Sequence, residues 1–244
     1  MEQNKPGWPR RAAIFGASGG IGAAVARVLA DRGIPVLSGS RRGAVPRHHL
    51  VTPFRFDLTD EESIAQAAAL LAQDVPDLVL VATGALTLEN GTPPERSLKS
   101  LDAAAMAQAL AVNTIGPALV AKHVLPLMPR DGRWTFAALS ARVGSVSDNR
   151  LGGWHSYRAG KAALNMLVKN FAIEMARTHP MGTLLALHPG TVDTALSAPF
   201  QSGLPEGQLK KRREAAVAMV DVLLAAGPEH SGRLLGWDGQ EIAP

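Results

Sequence analysis

The chain has 244 residues, of which 46% are hydrophobic and 5% aromatic, no cysteine, and a formal net charge of +4. This composition fits one large domain or two small ones. The absence of cysteine excludes disulfides and thiolate chemistry, which agrees with a location in the cytoplasm. The sequence contains no run of about 18 apolar residues, so no membrane span is expected. Basic residues occur in short, dispersed clusters and the seven histidines lack metal-ligand spacing, so neither a nucleic-acid partner nor a metal is expected.

The first pattern along the chain is a strand, a glycine-rich turn and a helix. No signal peptide is expected before it, because the opening segment MEQNKPGWPRR has no apolar core. The predicted strand covers residues 12–16, the turn reads GASGGIG over residues 16–22, and an apolar helix runs to about Ala30. This arrangement presents backbone N–H groups to a phosphate, and glycines let the backbone approach it closely. We interpret it as a dinucleotide-binding turn, with a plain tight turn as the alternative.

The second strand, predicted at residues 34–38, is followed closely by Arg41 and Arg42. An acidic residue in this region would bind the ribose 2′-hydroxyl of NAD, whereas arginine accommodates the 2′-phosphate of NADP. No Asp or Glu occurs between Asp31 and Asp57. The sequence therefore predicts NADP(H), with NAD(H) second, unless the two arginines belong to a basic surface loop.

The rest of the chain alternates strands and helices. Further strands are predicted at residues 50–56, 78–83, 134–139, 183–187 and 233–236, and helices at residues 60–74, 100–128, 156–178 and 214–226. Residues 195–213 are rich in Pro, Gly, Ser and charge, and we expect them to form a mobile substrate flap. The alternation predicts an α/β fold with a doubly wound, Rossmann-like parallel sheet, helices on both faces, and a single domain over residues 1–244.

Tyr157 is the only tyrosine of the chain, and Lys161 follows it by four residues. Positions i and i+4 of a helix project on the same side, so the two side chains are expected to face one site. A free phenol titrates near about 10, and an adjacent ammonium favours the phenolate. Lowering that pKa by about 3 units takes about 4 kcal/mol. This is more than Lys161 alone is expected to supply, so a second cation, such as an oxidised nicotinamide ring, would contribute.

Together these features resemble the short-chain dehydrogenase/reductase family, from Ala12 to about Gly239. The matching marks, in chain order, are the GASGGIG turn, Asp57, Ala82–Thr83–Gly84, Asn113, Tyr157-x-x-x-Lys161 and Pro189–Gly190-x-Val192-x-Thr194. The segment GSVSDNRLGGWHSYRAGKAALN is most similar to the branch that includes C-factor signalling proteins and sniffer-type carbonyl reductases. Two functions therefore stay open: an oxidoreductase acting on a carbonyl or secondary alcohol, or a nucleotide-binding signalling or sensor protein with little turnover.

The resemblance implies a role for each matching residue. Tyr157 would be the general acid in reduction and the base in oxidation, and Lys161 would bind the nicotinamide ribose and lower the Tyr157 pKa. Asn113 would kink its helix and help to hold a proton-relaying water. The remaining matches would contact the cofactor: Gly16, Ser18, Gly20 and Ile21 at the pyrophosphate, Asp57 and Leu58 near the adenine, Ala82, Thr83 and Gly84 at the central strand, and Pro189, Gly190, Val192 and Thr194 at the nicotinamide. A homodimer or homotetramer paired through the helices at residues 100–128 and 156–178 is also implied.

The chain departs from the family pattern at the catalytic serine. That serine stands three residues before a glycine, and with Gly144 as the glycine the position holds Ala141. A shift of one residue along a strand turns a side chain to the opposite face, so Ser140 serves only if the strand end bends. Ser140 is our first candidate for this role and Ser145 the second.

Substrate specificity is expected to lie in residues 142–155 and in the flap. Trp154 is expected to pack or to form a pocket wall. His155 is expected in a loop or in the substrate pocket rather than in catalysis, because positions i and i+2 do not face each other on a helix.

Overall fold

The computed structural model describes residues 7–202 and 204–244. Its strands are β1 (Ala12–Phe15), β2 (Val36–Ser40), β3 (Val51–Arg55), β4 (Leu78–Val81), β5 (Trp134–Leu139), β6 (Gly182–His188), β7 (Thr191–Val192), β8 (Leu209–Lys210) and β9 (Arg233–Gly236). Its α-helices are α1 (Gly20–Asp31), α2 (Glu61–Leu71), α3 (Ala103–Leu110), α4 (Gly116–Val124), α5 (His155–Ala176) and α6 (Arg212–Ala225). Residues 1–6, in the opening segment where no signal peptide is expected, and Gly203, within the predicted flap, lie outside the described residues.

Seven strands form one parallel sheet in the order β3-β2-β1-β4-β5-β6-β9. In its centre β1 pairs with both β2 and β4, so that Ala12 lies opposite Val36 on one side and Leu78 on the other. The strand order reverses between β1 and β4, and such a reversal leaves a crevice at the carboxyl ends of the strands. The predicted doubly wound parallel sheet is confirmed.

Two hydrophobic cores cover the two faces of the sheet, because successive side chains of a strand point to opposite faces. Ile14, Leu80 and Leu187 belong to the core on the α1 and α6 face. Phe15 and Ala186 belong to the core on the face of α2, α4 and α5. Helices therefore lie on both faces, as the alternating pattern predicts.

Some element bounds differ from the predicted ones. The second strand starts at Val36 rather than at residue 34, because the backbone nitrogen of Ile34 still donates to Leu29 O at 3.1 Å and closes the end of α1. Gly33, with φ +82°, adopts the left-handed conformation that such a helix end requires. At the flap, β8 pairs with β7, and α6 already begins at Arg212.

The helical run Ala103–Leu127 is long and apolar enough, by length and composition alone, to cross a membrane. In the structure a π-helical turn, Ala111–Ile115, divides the run, and α4 packs against α2 and α5. Val120 is fully buried in the core. The core helix of a globular domain passes the same test of length and composition, so this run is weak evidence for a membrane span.

Candidate active site

Two cavities join into one groove over the carboxyl ends of the central strands, since Gly19, Ala82, Thr83 and Gly84 line both. The first, here called the tyrosine cavity, has a volume of about 360 Å³ and contains Tyr157 and Lys161. The second, here called the arginine cavity, has a volume of about 660 Å³ and contains Arg41 and Asp57. The groove lies at the reversal of strand order, where sheets of this kind bind their ligands.

The glycine-rich turn brings the start of α1 to the middle of this groove. Gly16 has φ +94°, and Gly19 caps the helix without any side-chain hydrogen bond. A Cβ on Gly20 would lie 2.6 Å from Thr194 Cγ2, so only glycine lets the two segments approach. The first N–H groups of a helix have no partner inside it, and the first turn of α1 carries no acidic residue, which suits an anion. Ser18 lines the arginine cavity, while Gly20 and Ile21 line the tyrosine cavity.

Only one of the two predicted arginines lines the arginine cavity. Arg41 belongs to the lining and forms an ion pair with Glu89, whereas Arg42 is exposed outside the lining. The Asp57 carboxylate accepts hydrogen bonds from Thr59 N at 2.9 Å and Thr59 Oγ1 at 2.8 Å. These bonds, with the charge of Arg41, lower the pKa of Asp57. Sequence reasoning missed Glu89, because no spacing rule links it to a residue 48 positions away.

The strand-end segment Ala82–Gly84 connects the two cavities and carries an unpaired hydroxyl. Thr83 Oγ1 is buried and has no hydrogen-bond partner in the described part of the chain. Buried hydroxyl groups normally have a partner, so this oxygen fits a ligand with hydroxyl or phosphate groups. Together with the bare N-terminus of α1 and with Arg41, the groove fits a dinucleotide that carries a 2′-phosphate.

Tyr157 and Lys161 lie on one side of α5, as their spacing predicts. Lys161 Nζ donates to Leu139 O at 2.8 Å and lies 5.8 Å from the centre of the Tyr157 ring. Burial raises the pKa of Tyr157 to about 12 and lowers the pKa of Lys161 to about 7. The expectation that Lys161 and an oxidised nicotinamide ring together lower the Tyr157 pKa stays a prediction for the cofactor-bound protein, because in the chain alone the pKa is raised. The reason is that loss of solvent disfavours the charged form of both groups.

Asn113 lies in the π-helical turn, where the sequence predicted an interrupted helix. Its buried side chain donates from Nδ2 to Ala85 O at 2.8 Å and to Ala109 O at 3.0 Å, and accepts from Ala85 N at 3.2 Å. A Cβ on Gly84 would lie 3.2 Å from Asn113 Oδ1 and 3.4 Å from Lys161 Nζ. Because Gly84 has no Cβ, Asn113 Oδ1 and Lys161 Nζ have space beside the backbone that lines the groove.

Of the two serine candidates, the structure brings Ser140 and not Ser145 to the tyrosine cavity. Ser140 is 4% exposed, and its Oγ donates to Asn165 Oδ1 at 2.6 Å. Ala141 lines the same cavity. Ser145 lies outside this lining, and its Oγ accepts from Asp148 N at 3.1 Å. Asn165 was missed by sequence reasoning, although its position four residues after Lys161 continues the face of α5 that starts at Tyr157.

The segment after β6 forms the far wall of the tyrosine cavity. The predicted nicotinamide contacts Pro189, Gly190, Val192 and Thr194 all line it. Gly190 has φ +77°, and a Cβ there would lie 3.0 Å from the Trp237 ring. His188 also lines the cavity, and burial lowers its pKa to about 4, which keeps the imidazole neutral at pH 7.

The comparisons with known proteins agree with this geometry. The family model of short chain dehydrogenases matches residues 10–204. A 1-hydroxy-2-glutathionyl-2-methyl-3-butene dehydrogenase of Rhodococcus sp. (strain AD45) is 30% identical over 230 residues, which cover 93% of this chain and 96% of the relative. The C-signal protein of Myxococcus xanthus is 34% identical over 146 residues, covering 60% of this chain and 82% of the relative.

Solved structures show the same likeness. A Burkholderia multivorans structure, described as a short-chain dehydrogenase/reductase with bound NADP, has a TM-score of 0.80 and 29% identity, covering 97% of this chain and 100% of its own. The carbonyl reductase Sniffer of Drosophila melanogaster has a TM-score of 0.80 over 96% of this chain and 99% of its own. At 20% identity, this second likeness concerns the fold alone. The resemblance inferred from the sequence motifs is confirmed.

Proposed function

This chain belongs to the short-chain dehydrogenase/reductase family of oxidoreductases, and we propose that it transfers a hydride between NADP(H) and a carbonyl or secondary alcohol bound beside Tyr157. The observation that carries the proposal is the groove itself. It runs without interruption from Arg41 to Tyr157 and Lys161, past the bare N-terminus of α1. One ligand with phosphates in its middle and a nicotinamide at one end fits this order of groups.

NADP(H) is the proposed cofactor, with NAD(H) second. Arg41 would pair with the 2′-phosphate, the start of α1 with the pyrophosphate, and Thr83 Oγ1 with a ribose or phosphate oxygen. The NADP in the Burkholderia multivorans structure supports this choice. Once bound, NADPH supplies a hydride to the carbonyl carbon of the substrate.

Tyr157 is the proposed proton donor. As the carbonyl carbon accepts the hydride, the carbonyl oxygen takes the proton of the Tyr157 hydroxyl, so that an alcohol forms and a phenolate remains. The raised pKa of Tyr157 keeps this proton in place at neutral pH, which suits the reductive direction. Lys161 would hold the nicotinamide ribose, and Asn113 would order a water that returns the proton.

Ser140 remains the proposed second donor to the carbonyl oxygen. Its hydroxyl donates to Asn165 Oδ1, so the role requires the hydroxyl hydrogen to turn towards the substrate by rotation about the Cβ–Oγ bond. The flap at residues 195–213 is proposed to close over the substrate, with β8 as its fixed end.

A second candidate function is a signalling or sensor protein that binds the nucleotide and turns over slowly. It is favoured by Ala141, which stands where the family has a catalytic serine, and by the likeness to the C-signal protein. NADPH oxidation with a panel of aldehydes and ketones separates the two functions. Turnover that Tyr157→Phe abolishes without loss of NADPH binding supports the enzyme. Tight NADPH binding with no turnover of any compound supports the sensor.

A further inference from the structure

Trp154 has an unusual backbone conformation at the start of α5. It is the one non-glycine residue with a positive φ in residues 7–202 and 204–244, with φ 50° and ψ 44°. It follows Gly152 and Gly153, whose φ angles are 63° and 65°. The left-handed conformation crowds the Cβ of an L-residue and is costly for a bulky side chain. A strained residue next to a reactive group points to a role for its side chain.

The surroundings of Trp154 hold both its backbone and its ring. Its N–H donates to Glu95 O at 2.5 Å, and its carbonyl oxygen accepts from Arg158 N at 2.8 Å. The indole stands edge-on to the Tyr157 ring, with 6.4 Å between centroids and 77° between planes. It stands edge-on to Phe200 as well, at 5.2 Å and 66°. These distances and angles are favourable for aromatic pairs, so the indole connects the proton donor to the flap.

Apolar side chains from two segments extend this contact into a wall. Phe200, Leu196 and Leu204 come from the flap and line the tyrosine cavity. Val143 comes from the loop after β5 and lines it too. Both segments are those in which the sequence predicted substrate specificity.

The charged groups of the tyrosine cavity already have partners. Among the described residues its lining contains no carboxylate, and its basic side chains besides His188 are Arg142 and Lys161. Arg142 Nε lies 2.5 Å from Asp148 Oδ2, and Lys161 Nζ donates to Leu139 O at 2.8 Å. A neutral substrate suits such a cavity better than an ion, because an added charge would lose its hydration without gaining a free partner.

We propose that Trp154 and Phe200 form an aromatic wall that binds a neutral aryl ketone, a compound whose carbonyl carbon carries an aromatic ring. This inference rests on the proposed function. The substrate ring packs on the wall while its carbonyl oxygen reaches the Tyr157 hydroxyl. The carbonyl carbon takes the hydride of NADPH and the oxygen takes the proton of Tyr157, so the products are a secondary benzylic alcohol and NADP⁺.

The test compares acetophenone, cyclohexyl methyl ketone and 2-butanone, each with NADPH and the full chain. Ratios of variant to native kcat/KM are used, since they cancel the different intrinsic reactivities of the ketones. Phe200→Ala should lower kcat/KM for acetophenone about ten-fold, while the value for 2-butanone, which has no ring to pack on the wall, stays within about two-fold. Phe200→Leu restores bulk without a ring and should recover cyclohexyl methyl ketone but not acetophenone.

Two further variants keep the result interpretable. Trp154→Gly removes the indole at a backbone conformation that glycine adopts freely, and should lower kcat/KM for acetophenone by a larger factor than for 2-butanone, because the indole also packs against Tyr157. Leu151→Ala is the matched control, because Leu151 lies in the same loop but is 91% exposed and outside the cavity lining. It should leave all three ketones unchanged.

The outcomes separate this inference from the proposed function. If the native chain turns over none of the three ketones or any other carbonyl, the proposed function and the inference fall together. If 2-butanone is reduced and Phe200→Ala leaves acetophenone unchanged, the inference alone is overturned. An equal loss of kcat/KM for all three ketones also overturns it, because the wall then supports the folded site in general rather than the binding of the substrate's aromatic ring.

Discussion

The carboxylate of Glu95 accepts a hydrogen bond from Ser156 N at 3.1 Å, although 61 positions separate the two residues. Glu95 is 8% exposed and also accepts from Ser156 Oγ. The N-cap residue of α5, Trp154, makes no side-chain cap bond, so Glu95 caps the helix from another loop. Burial opposes its charge, but the hydrogen bonds from Ser156 prevail and lower its pKa. A buried anion thus fixes the residue directly before Tyr157.

Glu95→Ala should therefore lower kcat, because the start of α5 and the Tyr157 hydroxyl lose their fixed position. We expect a fall of about ten-fold and a stability loss of about 1–2 kcal/mol, with the Kd for NADPH within about two-fold of native. Steady-state kinetics measure kcat, fluorescence titration measures the Kd for NADPH, and thermal unfolding measures the stability. Asp102→Ala is the control, since Asp102 caps α3 through Ala105 N at 2.8 Å in the same way. Equal kcat losses for the two variants would show that Glu95 has no special relation to Tyr157.

The pH dependence of Tyr157 can be measured directly, because it is the only tyrosine of the chain. Its pKa in the folded chain is raised to about 12. Between the unfolded value of about 10 and this value, only the unfolded chain loses the proton, so stability should fall as the pH rises above about 10. Tyrosinate absorbance should therefore appear only above pH 10, with Tyr157→Phe as the blank.

Oxidised cofactor should change this titration. The positive nicotinamide ring of NADP⁺ favours the phenolate, so adding NADP⁺ should shift tyrosinate formation to lower pH. Lys161→Met should reduce the shift and weaken cofactor binding. A tyrosinate signal below pH 9 in the free protein would contradict the raised pKa.

Cofactor preference tests the arginine cavity. Replacing Arg41 and Arg42 together by alanine should reduce the preference for NADPH over NADH ten-fold or more, from charge-assisted bonds of about 1.5–3 kcal/mol. Arg41→Ala alone should account for most of this, and Arg42→Ala is its matched control. Glu89→Gln should tighten NADPH but not NADH, because it frees Arg41 from its ion pair. If the native chain already prefers NADH in calorimetric titrations, the assignment of Arg41 is wrong.

The alanine at position 141, where the family has its catalytic serine, leads to a prediction about turnover. Ser140→Ala should lower kcat by about ten-fold or more if its hydroxyl supports the carbonyl oxygen. Ala141→Ser restores the hydroxyl at the family's position and should raise kcat while the KM for NADPH stays constant. If Ser140→Ala retains the native rate while Tyr157→Phe loses it, Ser140 is not the second donor, and Ser145→Ala becomes the next measurement.

The helices predicted at residues 100–128 and 156–178, which correspond to α3, α4 and α5, are expected to pair across a two-fold axis in a homodimer or homotetramer. Apolar side chains remain exposed along this region, namely Ile115, Met166 and Ile173. Small residues on α5, Ala162 and Ala163, permit close approach of a second helix. Light scattering at micromolar concentration should show a dimer or tetramer, and Met166→Glu should shift it towards the monomer. A native chain that is monomeric at this concentration would rule the pairing out.

The local patterns of the sequence were sufficient for most of the fold. Strand and helix periodicities predicted the doubly wound sheet, since they depend on neighbouring residues. The glycine turn predicted the bare N-terminus of α1 for the same reason. The spacing of Tyr157 and Lys161 predicted their shared side of α5, because one helical turn separates them. Even the interruption of the helix around Asn113 was readable from the chain.

Tertiary structure decided what depends on residues distant in the chain. Only the packed fold separates Arg41 from Arg42, selects Ser140 over Ser145 as a neighbour of the cavity, and places Glu95 under the start of α5. The raised pKa of Tyr157 in the chain alone could not be predicted from the sequence, because spacing reports which charge is near but not how much water is excluded. Desolvation is a property of the whole packed site, and here it raises the pKa of Tyr157.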